Sequence, residues 1–301
     1  MRENTTSQGV LAVIVINWNN APDTIKCLES LASWESLKPE LYVVDNASTD
    51  DSLRRIEGRF SDIWIIRNNK NLGFAGGNNN GIKKAMENGS TEILLLNNDA
   101  KVEEADISRM LAHLRARPDI AVVGPRIRAG NTIMAGGCDI GHNPDTHIPW
   151  EPRMGIEGIK QVEYVPGTVF LVRRGAIEKV GLLDEDYFFS GEIADFCRRI
   201  YDAGMVCCVD LSAEAVHGVD RPSRMRNTLY AYYSARNRFL YVKKHAERKR
   251  IALYGMWIRY FLQDLAISIA HGDLARSRAI ALALFDGVTG AYGDHNDRFI
   301  A

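Results

Sequence analysis

The sequence predicts an α/β protein with a mostly parallel central sheet flanked by helices and an all-helical extension at its C-terminal end. Three observations carry this expectation. Four apolar, β-branched runs, at residues 10–16, 41–44, 63–66 and 93–96, recur in the first hundred residues, each followed by a polar loop and a helical pattern. The runs lack the alternation of half-exposed strands, so they read as strands buried on both faces. From about residue 224 onward only helical patterns remain.

The elements follow in order. Ile25, Leu28, Leu31 and Trp34 form one helical stripe within residues 22–37, with Pro22 in the first turn, where its missing N–H is harmless. Ser48 lies three residues before Asp51, a weak capping signal for a helix through Ile56. Residues 81–86 and 107–114 supply the next helices. Strands alternating with helices imply right-handed crossovers. Residues 128–157 are rich in Gly, Pro and His without periodicity, which suits a functional loop or insertion better than a plain connector. Strands are expected within 161–173 and at 205–209, with a helix at about 192–203 between them. Three helices then span about 225–245, 248–270 and 273–288. The expected division is therefore a first domain at 9–222 and a helical extension at 223–301.

Composition narrows the function. With 37 Lys+Arg against 38 Asp+Glu in 301 residues, the formal net charge is −1, without the basic excess of a general nucleic-acid binder. Five cysteines without a CxxC pair indicate neither a disulfide framework nor a zinc knuckle. No basic-then-apolar leader opens the chain, and the default expectation is a reduced, cytoplasmic protein.

In an open parallel sheet, ligands bind beyond the carboxyl ends of the strands. Those positions hold Asn17–Asn20, then Asp45-Asn46, then Arg67-Asn68-Asn69-Lys70-Asn71, then Asn97-Asn98-Asp99. One such loop is ordinary turn chemistry; four at one sheet edge make a polar rim. Neither a dinucleotide fingerprint nor a P-loop is present. Asp45 stands where a ribose-binding carboxylate would. Asp99 is a candidate ligand for Mg²⁺ or Mn²⁺, which take oxygen donors and share carboxylates with phosphates. The glycine cluster at 73–77 could let backbone approach a ligand or open a helix whose N-terminus faces an anion.

The segments VIVINWNN, VVDNASTDDS, NLGFAGGNNNGI and LLLNNDA, in this order, resemble family 2 glycosyltransferases of the GT-A fold, most closely the bacterial rhamnosyltransferase-like branch. The likeness continues through Val165-Pro166-Gly167-Thr168, Leu171-Val172-Arg173-Arg174, the acidic segment from Ser190 to Cys197, Ala215-Val216-His217 and the segment from Tyr232 to Asn237, covering about 12–240. It implies an inverting transfer from a nucleoside-diphosphate sugar, of dTDP-rhamnose or UDP-sugar type, to a hydroxyl of a cell-surface glycan or lipid-linked precursor. It assigns the donor to Asn17, Asp45, Asn46, Asn71, Gly73, Gly77, Asn78, Asn97 and Asn98, and the cation to Asp99 and His217. Glu192 or Asp195 is implied as the catalytic base, with Glu192 favoured at a helix start, where the helix dipole would keep it ionised.

Two departures stand out. The first carboxylate of the DxD motif is Asn97, which weakens the implied metal site by one charge, and the usual second acid of the acidic motif is Ile193. They motivate an alternative, a catalytically weak or inactive nucleotide-sugar-binding partner subunit. A sugar-1-phosphate nucleotidyltransferase ranks last, because Asn17–Asn20 replace its Gly-rich basic loop. Arg236-Asn237 either touches a phosphate or ties the tail to the sheet. The basic run at 243–250 beside Tyr254, Trp257, Tyr260 and Phe261 suits peripheral contact with the inner face of an anionic membrane, with a homodimer interface or plain packing as alternatives.

Overall fold

The computed structural model describes residues 9–151, 158–218 and 224–299. The expected domain boundary at 222/223 lies outside these residues. The chain opens with β1 (Leu11–Asn17), α1 (Ala21–Ala32), β2 (Glu40–Asp45), α2 (Ser52–Glu57), β3 (Trp64–Arg67), α3 (Gly73–Glu87) and β4 (Glu92–Leu96). It continues with β5 (Ala100–Val102), α4 (Glu104–Ala116), β6 (Ile120–Ala129), β7 (Thr132–Gly137), β8 (His147–Pro149), β9 (Ile159–Val162) and β10 (Val169–Arg173). Then come α5 (Arg174–Val180), α6 (Glu192–Asp202), β11 (Val206–His217), α7 (Arg224–His245), α8 (Arg250–Ala270) and α9 (Leu274–Thr289).

The main sheet runs β3-β2-β1-β4-β10-β6-β11-β5. The four strands foreseen in the first hundred residues pair in parallel. Beyond them β10 lies antiparallel to both β4 and β6, β11 is parallel to β6, and β5 is an antiparallel edge. Successive residues of β1 feed opposite cores. Val13 and Val15 pack with Leu28, Leu31 and Met110 on the α1/α4 face, while Ile14 packs with Val44, Ile82 and Phe196 on the α3/α6 face. Burial on both faces is why the run shows no alternation. A third core, including Tyr232, Phe239, Trp257 and Ile280, joins α7, α8 and α9.

Register positions the rim. Asn17 pairs with Asp45 at the ends of β1 and β2, and Asp45 with Arg67 on β3. The long β11 carries His217 to a position opposite Ala100, the residue after Asp99. Part of the stretch read as irregular is strand: β6 runs to Ala129, and β7 and β8 pair antiparallel after it. β6 and β7 form a hairpin about Gly130-Asn131, a local turn signal within the stretch read as irregular, whereas β8 meets β7 only across a longer connection.

Candidate functional site

The site starts from the paired ends of β1 and β2. Asn17 and Asp45 are both buried, and Asn17 Nδ2 donates to Asp45 Oδ1 (3.1 Å) and to Ser48 Oγ (3.0 Å). The backbone N–H of Ser48 donates to Asp45 Oδ2 at 3.1 Å. Thr24 on α1 donates its hydroxyl to Asn17 Oδ1 (2.8 Å) and accepts from Asn98 Nδ2 (2.9 Å). A continuous polar chain thus runs from Asp45 to the residue beside Asp99, and Thr24 is the link that sequence reasoning missed. Its only signal was a hydroxyl one helical turn into α1.

Asn46 organises the next loop. Its Nδ2 donates to Asn71 Oδ1 (2.8 Å) and to the carbonyl of Gly73 (3.0 Å), while its Oδ1 accepts from Asn68 Nδ2 (2.9 Å) and the N–H of Leu72 (3.0 Å). With every position of this buried amide used, the turn into α3 is fixed. Gly73 sits at φ 69°, and a Cβ there would run into the carbonyl of Phe188, so only glycine fits. The glycine cluster does open a helix, but its N-terminus is not free for an anion. The carbonyl of Phe188 accepts from the N–H groups of Phe74 (2.8 Å) and Ala75 (3.4 Å). Gly77 lets α3 lie against Ile16 and Asn46, and Asn78 Nδ2 donates back to the carbonyl of Phe74 at 3.0 Å.

Beyond β4, Asp99 Oδ1 lies 3.2 Å from His217 Nε2, and the side-chain amide of Asn97 is 3.5 Å from the same nitrogen. Amide orientation is an assignment from surroundings, and a turn of Asn97 aims its oxygen at that spot. Carboxylate, imidazole and amide oxygen form a donor set that fits Mg²⁺ or Mn²⁺. Among the described residues no cluster of three or more His, Cys, Asp or Glu is poised to hold a metal, so water or ligand oxygens would have to complete the coordination.

A cavity of about 390 Å³ opens over this rim. Asn46, Asn71, Gly73, Asn78, Asn97, Asn98 and Asp99 line it, together with Trp18 and Phe74; Asn17, Asp45, Gly77, His217, Glu192 and Asp195 are not among its lining residues. The opposite wall comes from residues the sequence reading did not single out for a site: Phe188 and Phe189 before α6, Met225, Arg226 and Leu229 on α7, and Asn296 near the C-terminal end. Tyr233, within the segment that carries the family likeness, is buried and also lines the cavity. A second cleft of about 440 Å³ carries Lys26 and Lys101 and shares Asn20, Asn98, Asp99 and Arg226 with the first.

The two carboxylates of α6 have opposite surroundings. Glu192 is 5% exposed, its Oε2 has no hydrogen-bond partner, and burial, with a smaller contribution from the Asp195 charge, pushes its carboxyl up to about 7. Desolvation therefore outweighs the helix dipole that was expected to keep it ionised. Asp195 is fully buried, and burial alone would raise it too. However, a hydrogen bond from His245 (2.8 Å) and the charges of Arg199 (2.8 Å) and Lys244 hold it well below the usual carboxylate range. Asp195 is thus bound into a cluster that fastens α6 to α7.

The sequence model for "Glycosyl transferase family 2" matches residues 12–181. The chain is 27% identical over 241 residues, 76% of its own length and 74% of the relative's, to the low-salt glycan biosynthesis hexosyltransferase Agl10 of Haloferax volcanii. It is 24% identical over 232 residues, 69% of this chain and 76% of the other, to the N-acetylglucosaminyl-diphospho-decaprenol L-rhamnosyltransferase of Mycobacterium tuberculosis. Its fold superposes on the mannosyltransferase PcManGT of Pyrobaculum calidifontis, solved with GDP-Man and Mn²⁺, at a TM-score of 0.59 and 15% identity, covering 94% of this chain and 88% of that one. GalNAc-T7, solved with UDP, GalNAc and Mn²⁺, matches at 0.60 and 14%, over 88% of this chain but only 58% of that longer one.

Proposed function

The chain belongs to glycosyltransferase family 2 and has the GT-A fold, and from that premise we propose an inverting, cation-assisted transfer from a nucleoside-diphosphate sugar to a hydroxyl of a glycan or lipid-linked precursor. The observation that carries the reading is the meeting of Asp99 and His217, far apart in sequence, at 3.2 Å on the rim of one cavity, joined through Asn98, Thr24 and Asn17 to Asp45. Rhamnosyltransferases among the relatives favour dTDP-rhamnose as donor, with a UDP-sugar second. Residues 9–222 act as the catalytic unit and 223–301 as a brace that also walls its cavity.

Asp45 and Asn17 take the nucleoside, and Asn46 holds the loop of Asn71 and Gly73 around it. Asp99 and His217, with Asn97, would hold Mg²⁺ or Mn²⁺, and a bound cation supplies positive charge where the departing pyrophosphate gathers negative charge. Glu192 accepts the proton of the acceptor hydroxyl, and a carboxyl that titrates near neutrality is matched to that task. Attack comes from the face opposite the leaving nucleotide, so one base suffices and the anomeric configuration inverts. The place of Asp195 in a cation cluster argues for Glu192 as that base.

The C-terminal helices suggest where the acceptor is met. Ile251, Met256, Tyr260, Leu262, Ile267 and Ile269 of α8 and Leu274, Phe285 and Val288 of α9 are exposed. The exposed charges of these two helices are Arg250, Arg259 and Arg278, so the face suits an anionic membrane surface. A two-fold pairing of α8 about its middle would instead oppose Arg259 to its own copy, which disfavours a homodimer there. Among the described residues no helix is long and apolar enough to cross a membrane.

The test is thermal stabilisation by dTDP, UDP and GDP and by their sugar adducts, each with and without Mn²⁺. At least one should raise the melting temperature in a cation-dependent way, and Asp99→Ala should erase that dependence. No shift from any of them would sink the proposal. Binding with neither transfer nor slow donor hydrolysis would favour the inactive partner subunit.

A further inference from the structure

The loop at 187–191, which leads into Glu192, is bent against its own preferences. Phe188 (φ 59°) and Ser190 (φ 70°) adopt left-handed backbone without being glycine, and Gly191 follows at φ 101°. Such residues are strained and persist only where the surroundings enforce them. Here the enforcement comes from α7. Asn237, 1% exposed, turns its Nδ2 toward the carbonyls of Tyr187 (2.9 Å), Phe189 (2.9 Å) and Ser190 (2.6 Å). Arg236 donates from Nε to Asn237 Oδ1 at 2.9 Å, which dictates the end of the amide that faces the loop. The same guanidinium donates to the carbonyls of Asp186 (3.1 Å), Tyr187 (3.1 Å) and Gly293 (2.6 Å). The loop in turn reaches across the cavity, where the Phe188 carbonyl caps α3 beside Gly73.

We propose that Asn237, oriented by Arg236, is a positioning residue for the transfer reaction, holding the strained loop in the form that delivers a water-shielded Glu192 to the start of α6. This rests on the reading of Glu192 as the proton acceptor. Without the amide, three carbonyls lose a shared donor, and the left-handed residues are released toward ordinary backbone. The first turn of α6 loosens, water reaches the carboxyl, and the base drifts from its station. A hydrogen-bonding brace of this kind acts on rate, because a displacement of about 1 Å can cost about a hundredfold. The charged neighbours of α6 stay in place: Asp195 keeps Arg199, Lys244 and His245, and Lys244 also keeps Asp184. A change in how Glu192 titrates would therefore report the loop rather than a changed charge.

The experiment is a carboxyl-carbon NMR titration of the full chain labelled at glutamate side chains, with the Glu192 resonance identified by its loss in Glu192→Gln. Asn237→Ala and the double variant Ser190→Gly/Asn237→Ala are compared with wild type, each checked by circular dichroism and melting. The double variant removes the backbone strain at Ser190, so it recovers stability even where the single variant folds poorly. The expected result is a Glu192 midpoint at least one pH unit lower in Asn237→Ala and a smaller fall in the double variant, where the Ser190→Gly change lets that position keep its left-handed backbone without strain, with melting temperature partly recovered. A midpoint unchanged from wild type in either folded variant would mean that Asn237 merely stabilises, and would overturn the proposal. Failure of the underlying reading is seen separately, as full turnover by Glu192→Gln, a result that leaves the titration of the Asn237 variants unaltered.

Discussion

Replacing Glu192 by glutamine tests the buried carboxyl through stability as well as activity. The ordinary glutamate value is 4.5, and in this fold burial raises it to about 7. A group whose folded value is raised favours the native state fully below its unfolded value, and that advantage is lost as pH climbs toward the folded value. A tenfold change in proton affinity on folding corresponds to about 1.4 kcal/mol. Integrating the two titrations, about a quarter of the penalty is present at pH 5 and nearly all of it at pH 8, a difference of about 2–3 kcal/mol. Glu192→Gln keeps the shape and removes the titration, so it escapes this loss. Urea unfolding at pH 5 and pH 8 should therefore show the variant gaining about 2–3 kcal/mol relative to wild type over that interval, while transfer activity disappears. Parallel stability curves for the two proteins would refute the claim that the folded chain shields this carboxyl from water.

Wild-type kcat/KM should rise with pH through about 7 as Glu192 ionises, and a profile flat from about pH 5.5 to 8.5 would count against Glu192 as base. His217→Ala should weaken Mn²⁺-dependent nucleotide binding at least about tenfold by calorimetry, with binding in EDTA unchanged. Gly73→Ala forces a Cβ against the Phe188 carbonyl at φ 69° and should lose about 1–3 kcal/mol in chemical denaturation. Vesicle co-sedimentation should depend on anionic lipid and fall sharply in Ile267→Ser/Phe285→Ser, while hydrolysis of a soluble donor stays intact; a concentration-dependent dimer in solution would point to self-association instead.

What the sequence made legible follows from where each signal lives. β1, β2 and β4 were readable because strands buried on both faces must be apolar throughout, and the polar residues just after them stood out by contrast. Asp99 stood out at the end of β4, but His217 was readable only by likeness to a family, since their meeting depends on the pairing of β11 with the three-residue β5, which leaves no periodicity. The far wall of the cavity was invisible for a related reason. Met225, Leu229 and Asn296 lie on elements whose patterns report packing among α7, α8 and α9, and nothing in those patterns says that the ends of the elements overhang the sheet. Arg236-Asn237 was left open between touching a phosphate and tying the tail to the sheet, and the hydrogen bonds show a tie, but to the loop before α6 rather than to a strand.

Glu192 and Asp195 show why spacing alone could not choose between two acids. Three residues apart on one helix, they share a face and differ only in company. Asp195 meets the charges of Arg199 and Lys244 and the imidazole of His245 and is held ionised, and Lys244 and His245 come from α7. Glu192 meets none of these at hydrogen-bond distance, and its carboxyl is pushed toward neutrality. A permanent anion locked in an ion cluster cannot give up its cations to take a proton without undoing the α6–α7 contact. An acid poised near pH 7 with one unpartnered oxygen has no ion pair to break at that oxygen before it takes a proton. If Glu192 is the base as proposed, the helical extension bears on that choice twice, by occupying Asp195 and by bracing the turn before Glu192, even though the family match ends at residue 181. Truncating the chain before α7 should abolish turnover while leaving Asp45 and Asp99 untouched in sequence.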